Sequence, residues 1–313
     1  MDSVKAYSIL AHKWIARVTM SGSTLASRAL GRQLVKFRER AGLSEYAVAK
    51  AAETSPQTYG RLEDGLKHNV TNMMINAICD KLRVSDSERR LLLGLAEEVR
   101  KERKSEGKWW RPYIDETQTS LDHYLNLEQH ARRLTTLQIA IVPGMLQTSE
   151  YRRQLAWARN PQWTPEEVER RVELAAFRQE RLADPRFKFD AFLSEMILRQ
   201  QTGGPGVMED QLRHLLEVGE LRNVSIRIVP FSATNPIALL ANSFVYLEFG
   251  PLPSSKLIEP PVAFVEGHTG CLYLEKENEL AMYQDAIVRI RRVALEPSAS
   301  RNLILAVARE YSE

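Results

Sequence analysis

Arg38-Glu-Arg-Ala-Gly-Leu-Ser44, Glu45-Tyr-Ala-Val-Ala-Lys50 and Ser55-Pro-Gln-Thr-Tyr-Gly-Arg-Leu-Glu-Asp-Gly65 form a run of short helical patterns set close together. Ahead of them Leu30, Leu34 and Phe37 lie four and three apart, hence on one helix face, and Ala41-Gly42 stops that helix. Ser44 caps a second helix carrying Ala47, Val48 and Ala51. Ser55 stands directly before Pro56, the residue best tolerated at the first helical position, so a third helix runs through Tyr59 and Leu62 to Gly65. A fourth is expected from Thr71 through Met74, Ile75 and Ile78 to Leu82; a fifth, opened by the capping box Ser85-x-x-Glu88, carries Leu91, Leu92 and Leu95. Ala49 is small where the two central helices must cross, and Val48, Tyr59 and Leu62 point into their shared core. That leaves the polar outer face of the third helix free to enter a major groove.

Taken together, residues 30–95 resemble the lambda-repressor-like helix-turn-helix of the XRE type, whose pattern has an Arg-x-x-x-Gly-Leu-Ser/Thr lead-in, a small alanine and a closing apolar-Glu-x-Gly. The resemblance implies an ion pair between Arg38 and Glu63, joining the first and third helices; the alternative is two solvated charges. It also implies DNA contacts from Ser44 and Glu45, from Ser55 to Thr58 (Ser55, Gln57 and Thr58 by side chain), from Gly60 and Arg61, and from Lys67, His68 and Asn69 in the following loop. Gln57 suits adenine, because its amide can bond both N6 and N7; Arg61 suits guanine or phosphate, and Lys67 suits phosphate. Three positions depart from the pattern. Glu45 stands where the family usually has a neutral donor, Pro56 removes a side-chain donor, and Glu53 stands where the turn normally has glycine.

Charge points the same way. Residues 1–108 hold 20 Lys+Arg against 13 Asp+Glu, and residues 109–313 hold 23 against 27. Phosphate attracts the basic front and is repelled by the acidic remainder. The chain of 313 residues, 44% hydrophobic, is long enough for two domains and excludes disorder as the main state. No apolar run reaches the roughly 20 residues of a membrane span. Two distant cysteines, Cys79 and Cys271, indicate neither a disulfide framework nor a zinc site, so a reducing, cytoplasmic setting is expected.

The expected organisation is an arm over 1–26, in which Met20 offers a second start, then a mainly α helix-turn-helix bundle over 27–99. A charged linker over 100–108 leads to an α+β domain over 109–313. In that domain helical patterns cover about 118–138, 149–159, 164–184, 206–219, 276–294 and 297–311. Strand-like runs lie at Phe187–Leu193, Val224–Val229, Ser243–Phe249, Val262–Glu266 and Cys271–Glu275. No regular βαβ alternation is visible, which favours α+β over a doubly wound sheet.

Trp109-Trp110-Arg-Pro-Tyr113, Tyr124-Leu-Asn-Leu-Glu128-Gln-His-Ala131, Val142-Pro-Gly-Met-Leu-Gln-Thr148 with Glu150-Tyr151, Arg178-Gln-Glu-Arg181, Ser194-Glu195-Met-Ile-Leu-Arg199 and Asn223-Val-Ser-Ile-Arg-Ile-Val-Pro230 resemble the C-terminal domain of WhiJ-like actinobacterial regulators. That resemblance implies an antitoxin-like transcription regulator working with a small acidic protein. Arginines at Arg132, Arg133, Arg152, Arg153, Arg170, Arg171 and Arg178 are candidates to hold such a partner; the alternative is solvated helix faces paired with nearby glutamates. A homodimer on a palindromic operator is expected. The rival is a small-molecule sensor with a ligand pocket in the C-terminal domain.

Catalysis is not indicated. Glu128, Glu195 and Glu266 lie on separate elements, and no G-x-S-x-G occurs. Gly203-Gly204-Pro205-Gly206 lacks the following Lys-Ser/Thr of a phosphate loop. His123 and His130 share a helix face with no further ligand placed, so neither a metal nor a cofactor is expected.

Overall fold

The computed structural model describes residues 24–67, 69–104, 119–268 and 270–312. The arm up to residue 23, His68, linker residues 105–108 and the Trp109–Tyr113 motif lie outside these residues.

Helix α1 (Leu25–Arg40) opens two residues ahead of Ser27, where the bundle was expected to begin. Thr24 and Ser27 cap it reciprocally, the Thr24 hydroxyl accepting from the Ser27 amide at 3.2 Å and the Ser27 hydroxyl from the Thr24 amide at 2.8 Å. Next come α2 (Glu45–Ala51), α3 (Pro56–Glu63), α4 (Asn72–Leu82) and α5 (Asp86–Lys104). The Ser85–Glu88 box forms in both directions. The run from Arg100, read as linker, is instead helical to Lys104. Its helix is anchored by buried Glu98 and Val99, and Arg100 donates to the Val70 carbonyl at 3.0 Å. Helix α6 (Thr119–His130) follows.

Residues 131–138, expected to continue that helix, form a strand, β1 (Ala131–Gln138). Leu134 and Leu137 lie three apart and read as a helix face, but Leu134, Thr135, Thr136 and Leu137 are all buried, as in a central strand covered on both sides. Arg132 and Arg133 are therefore strand residues. Finding β1 exposes an alternation that the sequence hid. The chain runs from β1 through α7 (Ser149–Arg159) and α8 (Pro165–Gln179) to β2 (Lys188–Ser194). It then passes α9 (Glu195–Arg199) and α10 (Pro205–Val218) to β3 (Val224–Val229). Both pairings are parallel, with Leu134 opposite Phe189 and Ala191 opposite Ile226.

After α11 (Ile237–Ala241) the sheet turns antiparallel through β4 (Phe244–Phe249), β5 (Val262–Gly267) and β6 (Gly270–Leu274). Among the described residues the strand order is β3-β2-β1-β4-β5-β6. The C-terminal domain is thus α+β, with a mixed sheet of two βαβ crossovers joined to a meander. Helices α12 (Glu277–Val293) and α13 (Pro297–Glu310) close it. Leu137, Phe192, Phe244, Tyr246, Leu280 and Ile290 share its core. The edge of β3 is covered, since Ile228 donates its amide to Ser300 Oγ at 2.9 Å and accepts from the Leu295 amide at 2.8 Å.

Packing divides the molecule into two compact units, and the division is not a cut at one point. The first unit holds the described residues up to His130 together with Phe249–Glu259; the second holds Ala131–Glu248 and Pro260–Glu313. Glu98, 5% exposed, binds the returning segment: its carboxylate accepts the Ser254 amide, the Ser255 amide at 2.9 Å and the Ser255 hydroxyl at 3.3 Å. Arg32 adds a hydrogen bond from Nε to Glu259 at 3.1 Å.

Candidate nucleic-acid interface

The frame of the interface is α1, α2 and α3. Val48, Ala49, Tyr59 and Leu62 are buried between them. Gly31 on α1 sets the approach of α3: a Cβ there would stand 2.1 Å from the Glu63 carbonyl oxygen and 3.0 Å from that of Leu62. Only a glycine lets these backbones meet. A lone glycine inside a periodic helix was the available signal for it.

Arg38 and Glu63 lock the same crossing. Arg38 Nε donates to Glu63 Oε1 at 2.6 Å and Nη2 to Oε2 at 2.9 Å, while Nη1 reaches the Leu43 carbonyl at 3.3 Å. The side chains are 15% and 5% exposed, so this is a bidentate, largely buried pair. The hydrogen bonds to Glu63 hold the guanidinium protonated well beyond its ordinary range. The Tyr59 hydroxyl is pushed up by burial, then by Glu63, and stays neutral.

The α2–α3 turn passes through Glu53 at φ 49°, the left-handed region that favours glycine. A turn normally made by glycine keeps its shape here around a side chain.

Ser44 accepts the Ala47 amide at 3.3 Å and caps α2; Ser55 accepts the Thr58 amide at 3.1 Å, donates to the Thr58 hydroxyl at 2.8 Å and caps α3. All three hydroxyls therefore shape the motif. Gln57 and Arg61, four apart on α3, are both exposed. Lys67 is half-buried, and burial, with the Arg61 charge nearby, lowers its pKa. Arg61, Lys67 and exposed Asn69 lie in one run from α3 into the following loop. Glu45 turns toward α3: its carboxylate lies 3.2 Å from the place a Cβ on Gly60 would take.

In the second unit the candidate arginines have different surroundings. Arg153 donates to Glu169 at 2.5 and 3.1 Å and to Glu150 at 2.9 Å, and Arg133 donates to Asp190 at 2.7 Å. Arg171 stacks over Trp163 at 3.5 Å. Arg132 and Arg170 are exposed. Arg152 and Arg178 lie against the loop after β1. The three glutamates serve locally: Glu128 accepts from the Tyr124 hydroxyl at 2.7 Å, Glu195 from the Phe231 amide and Arg199 at 2.9 Å each, and exposed Glu266 faces Arg159 at 3.4 Å. His130 bonds the Asn126 carbonyl oxygen through Nδ1 at 2.8 Å, and His123 is buried. Among the described residues no group of three or more His, Cys, Asp or Glu could hold a metal ion, and no helix is long and apolar enough to cross a membrane.

A family model described as a domain of unknown function, DUF5753, matches residues 121–306. The chain belongs to the DUF5753 family. In this DUF5753 protein a second model, a helix-turn-helix domain, matches residues 29–92, the same α1–α5 framework described above. The DUF5753 chain is accordingly a regulator of the DNA-binding helix-turn-helix type. No curated protein and no solved structure matches it. The DUF5753 match begins inside α6 and spans Phe249–Glu259, so part of that family's sequence folds into the helical unit.

Proposed function

We propose that the protein is a sequence-specific transcription regulator of the WhiJ-like, antitoxin-like kind, a cytoplasmic homodimer that binds a palindromic operator. The C-terminal domain dimerises or receives a small acidic protein, and it performs no catalysis. The observation that carries the DNA-reading part is the exposed pair Gln57 and Arg61 on α3, ahead of the basic Lys67 loop. Helix α3 enters the major groove, Gln57 and Arg61 contact base edges, and Ser44, Ser55, Thr58, Lys67, His68 and Asn69 meet the backbone. Two symmetric heads meet half-sites one helical turn, or a multiple, apart. Among the arginines offered to an acidic partner, Arg133 and Arg153 are neutralised within the chain. Arg132, exposed on β1, and Arg152, whose Nε is buried without a hydrogen-bond partner, remain the stronger candidates.

Selection of bound DNA from a random pool, followed by binding titrations, tests the reading. Gln57→Ala or Arg61→Ala costs about 1–3 kcal/mol on the selected site and relaxes one position of it. Lys67→Ala weakens all sequences alike and reduces the salt slope by about one unit. Equal losses on selected and random DNA for all three substitutions refute base reading by Gln57 and Arg61.

A further inference from the structure

Strand β3 ends the sheet on its parallel side, and its backbone groups point alternately to the two sides of the strand. The Phe189 amide donates to the Asn223 carbonyl at 2.9 Å, so the odd-numbered residues of β3 turn N–H and C=O toward β2. The even-numbered residues, Val224, Ile226 and Ile228, turn theirs to the outer edge. Ile228 is satisfied there by Ser300 and Leu295, and the Val224 amide closes a turn onto the Leu221 carbonyl at 3.0 Å. Between these two ends, the Val224 carbonyl and both the N–H and the C=O of Ile226 have no hydrogen-bond partner among the described residues. Ile226 is 6% exposed, and buried backbone groups left without partners are rare in native folds.

This bare stretch of edge lines a cavity of about 220 Å³. Leu215 of α10 and Pro297 and Ile304 of α13 give it apolar walls, and Ser298, in the first turn of α13, adds a hydroxyl. Its two charged residues answer each other: Arg301 lies 2.6 Å from Glu220 and donates to the Leu216 carbonyl at 3.0 Å. The cavity thus presents apolar walls and one unpaired peptide edge, with no net charge for an ion to meet.

We propose that this cavity binds a free, neutral, apolar peptide of a few residues, held by the edge of β3. One extended residue laid antiparallel to the edge exchanges both hydrogen bonds with Ile226, its N–H donating to the Ile226 carbonyl and its C=O accepting the Ile226 amide. The volume is below the roughly 300–1,000 Å³ of sites for drug-sized ligands, which suits so small an occupant. The edge is used up at the Leu221 turn on one side and at Ser300 and Leu295 on the other. A strand of a partner protein has no room to run through, so the occupant ends inside the cavity. The site is independent of DNA and of any protein partner.

Calorimetric titration of the full chain with acetyl-valine methylamide, a neutral blocked peptide, tests it. A single-site isotherm is expected, and the analogue methylated on the valine nitrogen, which cannot donate to the edge, binds at least tenfold more weakly. Amide hydrogen exchange followed by nuclear magnetic resonance locates the contact: the peptide slows the Ile226 amide at least tenfold and leaves that of Ile228, already held by Ser300, unchanged. Ser298→Trp fills the cavity and abolishes the isotherm. No isotherm with the peptide, equal binding of the two peptides, an Ile226 amide indifferent to the peptide, or binding that survives in a folded Ser298→Trp chain overturns the proposal, leaving water alone as the occupant. Should Ser298→Trp fail to fold, the Ile226 amide and the methylated analogue decide.

Discussion

Glu63 is 5% exposed and has two hydrogen bonds from one guanidinium, so Arg38→Ala leaves a carboxylate inside the fold without its counter-charge. Such a loss costs about 3 kcal/mol, at the lower end for a broken buried pair because Arg38 keeps some contact with water. Glu63→Ala costs a similar amount, and the double variant loses less than the sum. Urea unfolding of the full chain measures all three; additive, sub-kilocalorie losses would show the pair to be worth no more than a surface bridge. Glu53 predicts the opposite sign. Its φ of 49° is costly for a side chain and free of steric cost for glycine, so Glu53→Gly raises stability by about 0.5–1 kcal/mol after the glycine entropy is subtracted. A lower urea midpoint for Glu53→Gly would mean the side chain makes an unrecognised contact.

At the scale of elements, α1 and α3 touch through Gly31, and Gly31→Ala forces a methyl into the Glu63 carbonyl. We expect a loss of about 3 kcal/mol or more, read from the same urea transition, with the crossing widened. Local chemistry made the head legible in the sequence. Ser44, Ser55 and the Ser85–Glu88 box announce helix starts, Gly65 announces a stop, and Leu30, Leu34 and Phe37 give the face. What failed was β1, where Arg132-Arg-Leu-Thr-Thr-Leu137 has neither strict alternation nor an apolar run and follows a genuine helix without a break. Its strand state is imposed by neighbours on both sides, which is tertiary information. The exposure of Gln57 and Arg61 on α3 was legible through the motif spacing. That Arg152 and Arg178 both lie against the Gly144–Gln147 turn was not, because it brings two helices to one loop.

For the whole molecule, acid should act through the head. Glu88 is drawn down to about 2 by hydrogen bonds from the Arg40 guanidinium at 2.5 and 2.9 Å, assisted by the Ser85 amide. A carboxylate whose folded pKa is depressed contributes stability that is complete above its unfolded value, about 4.5, and lost as pH falls through the folded one. The melting temperature should therefore fall as pH drops from about 4.5 to about 2, and Glu88→Gln should flatten that slope. An unchanged slope would place the acid sensitivity elsewhere.

The segment Phe249–Glu259 has a consequence in time. The helical unit begins at the front of the chain, yet Ser254 and Ser255, which supply the amides for Glu98, are synthesised about 150 residues after it. A nascent chain carrying only α1–α5 lacks the amides that the Glu98 carboxylate accepts in the finished chain, so the helical unit is expected to be complete only after residue 259 has left the ribosome. On that expectation DNA binding by the head waits until the strands β1–β4 have also been made. A truncated product that ends before residue 249 should be an unstable head, quickly degraded, instead of a free competitor for DNA.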